Sequence, residues 1–251
     1  MLPTHLDLWR STLAWEPSPQ QQAQFENLYQ GILAGNQQLN LTRITEPEAF
    51  WEKHLWDSLS GLGCFLSREG GEPLALGGGD RPPRLIDIGT GAGFPGLPAA
   101  IVWPDRPITL LDSTRKKINF LESLLPQLNL PQVLPWAGRA ETLGQDPRQR
   151  ESYDLALTRA LGGVTICAEY ALPLVRRGGY GVFYRGQWSQ EEETSLGVAL
   201  IELGAEIHEI TPWKTPLTQG VRHCVVVRKV ADTPDSYPRP NGVPAQKPLG
   251  F

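Results

Sequence analysis

The chain has 251 residues, 40% of them hydrophobic and 20% charged, with a formal net charge of −4; this is ordinary for a globular protein and enough to bury a proper core. No apolar run approaches the roughly 20 residues that span a bilayer, and no basic segment followed by an apolar one opens the chain, so a soluble, cytoplasmic protein is expected. Residues 1–83 hold 5 Lys/Arg against 10 Asp/Glu and residues 84–251 hold 18 against 17, so a polyanionic partner would be met by local basic patches. Cys64, Cys167 and Cys224 are far apart and form no C-x-x-C pair; they read as small buried hydrophobes, without a disulfide framework or a metal site.

From the N-terminus, residues 18–35 read as an amphipathic helix, with Ser18 as cap, Pro19 at N1 and Phe25, Leu28, Tyr29, Ile32 and Leu33 at helical spacing. Gly35 and Asn36 can stop it. A polar segment, Asn40-Leu41-Thr42-Arg43, leads to a second helix whose start is marked by a capping box, Thr45-x-x-Glu48. Trp51, Leu55, Leu59 and Leu62 share its apolar face. His54, Asp57 and Ser58 lie beside or opposite that face, and for His54 and Asp57 a solvated position or a local hydrogen bond is favoured over a substrate role. Residues 67–84, with Gly70, Gly71, Pro73, Gly77, Gly78, Gly79, Pro82 and Pro83, read as a linker.

Strand candidates follow at 85–88, 107–112, 132–136, 153–158, 180–185, 205–211 and 221–228, with helical patterns at 95–103, 115–128, 164–174 and 189–203 between most of them. This alternation predicts an α/β domain with a mostly parallel, doubly wound, seven-stranded sheet. The link containing Pro216 and Gly220 is too short for a crossover helix, so the last strand should be antiparallel. The expected organisation is a helical N-terminal extension and linker over 1–83, a ligand-binding domain over 84–229, and a Pro-rich basic tail over 230–251. Its five prolines, Pro234, Pro238, Pro240, Pro244 and Pro248, argue against regular helix or sheet there. The tail is either a basic arm for a phosphate backbone or a loosely packed terminus.

The stretch with most chemistry runs from Leu85 to Gly96. A short buried strand enters a glycine turn, and Pro95 suits the first turn of a helix, an arrangement that brings backbone amides against a nucleotide-like ligand. Gly91, Gly93 and Gly96 satisfy G-x-G-x-x-G, so a dinucleotide site is one reading. Asp87 fits that reading poorly, because its carboxylate would face a pyrophosphate; it suits a ligand that carries an ammonium. Ligands of such sheets bind at the carboxyl ends of the strands. Asp112 stands there as a ribose ligand or a helix cap. Gly138-Arg139-Ala140-Glu141 can edge an adenine. Arg159, in Thr158-Arg159-Ala160, needs an anion, either a carboxylate or a phosphate.

The turn Asp87-Ile-Gly-Thr-Gly-Ala-Gly-Phe-Pro-Gly, then Leu110-Leu-Asp-Ser with Lys116-Lys117-x-x-Phe120-Leu121, then Thr158-Arg-Ala, resembles the bacterial small-subunit ribosomal RNA guanine-N7 methyltransferases, the glucose-inhibited division protein B family. Asn40-Leu41-Thr42 and Asp57-Ser58 add to the likeness, which covers roughly residues 20–230. The resemblance implies a class I (Rossmann-like) methyltransferase fold, S-adenosylmethionine as cofactor and a guanine of 16S ribosomal RNA, alone or in the small subunit, as target. It further implies that Gly89 and Phe94, with Asp87, Gly91 and Gly93 of the same turn, bind the cofactor. Asp112 would take its ribose and Ala140 and Glu141 its adenine side, with Arg159 at the active site. Relatives usually show Lys-Gly after the fifth strand; here Tyr184-Arg185-Gly186-Gln187 keeps the charge and changes its geometry.

Guanine N7 has an in-plane lone pair and no proton, so attack on a sulfonium methyl asks for no general base and rests on near-attack positioning. The guanine must be reached in a loop or in opened RNA. Asn40, Arg115, Lys116, Lys117, Arg139, Arg185 and Arg239 are the candidate RNA contacts, and a monomer with no metal or membrane partner is expected. Two rivals remain: an NAD-dependent oxidoreductase, which lacks a Tyr-x-x-x-Lys or strand-end His, and a non-catalytic RNA-binding or ribosome-assembly protein.

Overall fold

The computed structural model describes residues 1–66, 73–77 and 81–250. The linker glycines Gly70, Gly71, Gly78 and Gly79 lie outside the described residues. Helices α1 (Leu6–Leu13), α2 (Pro19–Asn36) and α3 (Pro47–Phe50) are followed by a π-helical stretch, Trp51–Trp56, and then by α4 (Asp57–Ser60) and α5 (Gly63–Leu66). Next come β1 (Leu85–Ile88), α6 (Gly96–Val102), β2 (Ile108–Asp112), α7 (Arg115–Leu128), β3 (Val133–Ala137) and α8 (Ala140–Gly144). The chain continues through β4 (Tyr153–Arg159), α9 (Val164–Ala171), β5 (Val175–Arg185), α10 (Gln190–Leu203), β6 (Ala205–Lys214), β7 (Val221–Lys229) and α11 (Val243–Gln246).

The seven strands form one sheet in the order β3-β2-β1-β4-β5-β7-β6. β1 to β5 run parallel, and β7 is antiparallel to both neighbours, as the short preceding link requires. Successive side chains of a strand point to opposite faces. Leu85 therefore enters the core that also holds Trp9, Phe25, Trp51 and Leu121, whereas Ile86 and Ile88 enter the second core, with Cys167, Ala168 and Leu200. The N-terminal helices thus share a core with one face of the sheet. Among the described residues, no helix is long and apolar enough to cross a membrane.

Several expectations need correction. The start of α2 is as read, with a full capping box between Ser18 and Gln21, but none forms at Thr45. Pro47 occupies the first turn, so Glu46 becomes the N-cap and makes no side-chain cap bond, while Glu48 pairs with His5 at 2.6 Å. The helix that follows takes π geometry. Its Glu52, fully buried, accepts from the backbone amides of Leu217 and Thr218 at 2.6 and 2.8 Å, tying this segment to the β6–β7 turn. His54, Asp57 and Ser58 are buried, not solvated.

The tail is neither loose nor wholly irregular. One helical turn, α11, forms with a proline in its first turn, where no N–H is needed. Arg150 donates to the carbonyls of Thr233, Pro234 and Tyr237, and Arg239 grips the fully buried carboxylate of Glu169, its Nη2 2.6 Å from Oε2. Removing one partner of a buried ion pair leaves the other charge uncompensated. Arg239→Ala is therefore expected to lower stability by about 3 kcal/mol, read as a fall in the midpoint of denaturant unfolding with the slope unchanged. A midpoint equal to that of the parent chain would show the tail to be loosely attached.

Candidate active site

The ends of β1 and β2 are joined through side chains. Asp112 sends one carboxylate oxygen to the amide of Gly91 at 3.0 Å and the other to Thr114 at 2.8 Å, where α7 begins. Asp87 sends Oδ2 to the amide of Gly96 at 2.8 Å and accepts the Thr90 hydroxyl at 2.6 Å. Among the described residues its Oδ1 is buried with no hydrogen-bond partner. Burial pushes the Asp87 carboxyl up to about 6, against the lowering effect of those two hydrogen bonds. Two glycines suit the turn, Gly89 by its conformation and Gly96 by contact. A Cβ on Gly89, whose φ is +72°, would stand 2.4 Å from Leu161, and one on Gly96 would stand 2.2 Å from Leu110 and 2.8 Å from Asp87 Oδ2.

Around this turn lies a cavity of about 340 Å³, lined by Gly89, Asp112, Lys117, Arg139, Ala140, Glu141, Ala160, Leu161 and Tyr170 among others. Asp112, Ala140, Glu141 and Gly89 thus come together as the strand-end argument requires. Asp87 is fully buried inside the turn and braces it. Glu141 is buried and accepts from the amide of Gly242 at 2.9 Å, so the C-terminal tail meets the cavity wall. Burial, then the charge of Glu141, pushes the Tyr170 hydroxyl up to about 12.

Arg159, at the end of β4, finds its anion within the chain. Nη1 donates to Asp57 Oδ2 at 3.0 Å and to the carbonyl of Lys53 at 2.9 Å, and the guanidinium lies 5.8 Å from the centre of the Phe94 ring. Its Nη2 faces His54 Nδ1 at 3.3 Å. A guanidinium is only a donor, so Nδ1 accepts and the imidazole carries its proton on Nε2, which meets the Thr42 hydroxyl at 2.9 Å. Burial, with Arg159 second, pushes His54 down to about 3, so the ring is neutral. It stacks on Phe94 at 4.4 Å and 9°. Phe94 therefore forms the seam between the glycine turn and the N-terminal helices.

The remaining sequence candidates divide in two. Asn40, Arg115, Lys116 and Arg139 are exposed. Lys117 is half-buried, 4.0 Å from Asp112. Arg185 clamps the loop after β4, donating to the Gly162 carbonyl and to Glu192, each at 2.6 Å. Arg239 is committed to Glu169, so neither of these two arginines is a free cation at the surface. Sequence reasoning passed over Arg222, whose Nε reaches Asp57 Oδ1 at 3.0 Å, and Tyr170. A basic residue on an edge-side strand carries no local signal of its partner; only the register of β7 on β5 brings it there.

The sequence model of the family described as rRNA small subunit methyltransferase G matches residues 21–216. The chain is 53% identical over 249 residues to the ribosomal RNA small subunit methyltransferase G of Nostoc punctiforme, covering 99% of each chain. It is likewise 53% identical over 242 residues to that of Synechococcus elongatus, covering 96% of each. Among solved structures it is similar to a variant of the 16S rRNA (adenine(1408)-N(1))-methyltransferase from Catenulisporales acidiphilia, with a TM-score of 0.51 and 14% identity over 61% of this chain and 88% of that one. That likeness speaks to the α/β fold alone. With the family model spanning most of the sequence and relatives matching nearly end to end, the chain belongs to the rRNA small subunit methyltransferase G family.

Proposed function

We propose that the chain transfers the methyl group of S-adenosylmethionine to N7 of a guanosine in 16S ribosomal RNA, as a cytoplasmic monomer that uses no metal. The observation that carries this reading is the meeting of two cavities at Ala160. One is lined by Asp112 and Glu141, and the other, of about 390 Å³, by Arg159, Tyr184 and Arg222. A donor on one side and an acceptor on the other would face each other across this residue. In the same reading, residues 84–229 carry the donor, 1–83 complete the acceptor side and 230–251 cover the adenine edge.

The residues present fit the donor. Each Asp112 oxygen accepts one backbone amide and keeps a further lone pair for a ribose hydroxyl. Asp87 Oδ1, without a hydrogen-bond partner among the described residues, is an acceptor that a ligand ammonium would engage. When bound, S-adenosylmethionine supplies an electrophilic methyl on sulfur. The chain then needs only to position the guanine, whose N7 presents a lone pair without a proton. His54 agrees with this division of labour, since both of its ring nitrogens are engaged and it is not free to take a proton. Exposed Asn40, Arg115, Lys116 and Arg139 meet the RNA backbone. The dinucleotide reading of Gly91, Gly93 and Gly96 gives way to the family assignment.

Incubation with methyl-labelled S-adenosylmethionine and 16S RNA, free or in the small subunit, is expected to yield 7-methylguanosine; label on another base, or none on either substrate, contradicts the reading. Asp112→Ala is expected to weaken S-adenosylhomocysteine binding about 10- to 100-fold in calorimetry, the worth of a charge-assisted hydrogen bond, and an unchanged affinity would remove the ribose role. Arg159→Ala should abolish turnover with a smaller effect on melting, because Asp57 keeps Arg222; a large fall in melting temperature with normal turnover would make Arg159 a structural brace. Because the folded-state pKa of Asp87 is raised to about 6, its proton is held more tightly in the folded chain. Its stabilising contribution is full below the unfolded value of about 3.9 and is lost as pH rises through 6. Cofactor affinity should run the other way, tightening from pH 5 to 7.5 as the carboxylate ionises toward a ligand ammonium, and Asp87→Asn should flatten both profiles. A wild-type binding profile parallel to that of Asp87→Asn would place the ammonium elsewhere.

A further inference from the structure

The second cavity, on the other side of Ala160, is lined by three guanidinium groups, those of Arg159, Arg185 and Arg222. Two carboxylates answer them. Glu192 takes Arg185 at 2.6 Å, and Asp57 is shared, with Oδ2 accepting from Arg159 and Oδ1 from Arg222, each at 3.0 Å. Three cations against two carboxylates leave one positive charge in excess, in a cleft where Asp57 itself is 8% exposed. Donors remain as well. Among the described residues Arg222 spends Nε on Asp57 and Nη1 on the Val221 carbonyl, leaving Nη2 unengaged. An electron-rich oxyanion is the guest that such a set of planar donors accepts best.

Arg159 and Arg222 come from different strands, β4 and β7, separated in the sheet by β5. Nothing in the backbone register obliges their side chains to converge, and two like charges would part if left alone. The carboxylate between them removes that repulsion and fixes both guanidinium planes. Asp57 is delivered to this point by the π-helical stretch and α4, whose Lys53 carbonyl binds Arg159 and whose Ser58 carbonyl accepts the Tyr184 hydroxyl at 2.5 Å.

Resting on the rRNA methyl-transfer reading, we propose that Asp57 is a positioning residue for the acceptor. By holding Arg159 and Arg222 side by side, it builds a subsite that grips a backbone phosphate of the RNA strand carrying the target guanosine. The N-terminal helices then act in substrate binding through one shared counter-ion.

The test compares the full chain with Asp57→Asn, Arg222→Gln and the double variant. Affinity for a fluorescent 16S RNA fragment is read by anisotropy, affinity for S-adenosylhomocysteine by calorimetry, and KM and kcat for methyl transfer are measured separately. The expected result is a rise of roughly tenfold or more in the RNA Kd and KM of Asp57→Asn, with cofactor affinity unchanged. In the Arg222→Gln background the same substitution should lose the part of its effect that runs through Arg222, so that the two substitutions are not additive. Unchanged RNA Kd and KM in Asp57→Asn would overturn the proposal, as would a parallel loss of cofactor affinity and melting temperature, which marks a structural brace. If Asp57→Asn does not fold, Arg222→Gln decides, and normal RNA affinity there overturns the proposal too. A wild-type chain that binds RNA but transfers no methyl to guanosine counts against the methyl-transfer reading, and the anisotropy measurements still judge Asp57.

Discussion

A carboxylate buried at the end of β1 sets the shape of the glycine turn, and the site depends on that shape. Asp87 holds Thr90 and the amide of Gly96 with one oxygen, which fixes where α6 begins and how tightly the turn folds back on its strand. A Cβ on Gly96 would crowd Leu110 and the Asp87 carboxylate, and Gly89 takes φ +72°, a conformation that side chains rarely adopt. Asp112 adds the second strand by binding Gly91. Two adjacent parallel strands are thus locked to one loop through side chain to backbone bonds. The unsatisfied second oxygen of Asp87 is the cost, of the kind that functional sites keep when a ligand will share it.

The other half of the site is assembled from chain that precedes the sheet. His54 stacks on Phe94 of the turn, and Asp57 and the Lys53 carbonyl hold Arg159 of β4. A helix that only covered the sheet would bury apolar side chains and leave its polar ones in water. Here the π-helical geometry of Trp51–Trp56 accompanies the burial of Glu52 and His54 alongside Trp51 and Leu55. Glu52 and His54 each have partners on a distant element, which links the N-terminal helices to the β6–β7 turn and to the strand ends.

The parallel sheet was legible because apolar runs and helical periods alternate cleanly from Leu85 to Lys229, and β1, β4 and α7 lie within a residue of where the pattern puts them. The cavity-lining residues were legible for a related reason, since Asp112, Ala140 and Glu141 follow strands at the end of the sheet where ligands of such folds bind. What sequence missed depends on long-range pairing. Asp57 and His54 look like the polar side of an amphipathic helix, and only the packed fold shows that this side faces Arg159 and Arg222. The tail was misread because prolines exclude long helices but not a single turn, and because Glu169 and Glu141, which hold Arg239 and Gly242, lie far away in sequence. Arg185 and Arg239 looked available for RNA for the same reason: their carboxylate partners become visible only in three dimensions.

The proposed methyl transfer to guanine N7 in 16S RNA would use a site shared between the glycine turn and the N-terminal helices. Nucleoside mass spectrometry of 16S RNA from cells with and without the gene tests it most directly. One 7-methylguanosine present in the parent RNA and missing from the gene-deleted RNA, restored by the intact gene, is the predicted result. The same 7-methylguanosine content in both RNAs would contradict it.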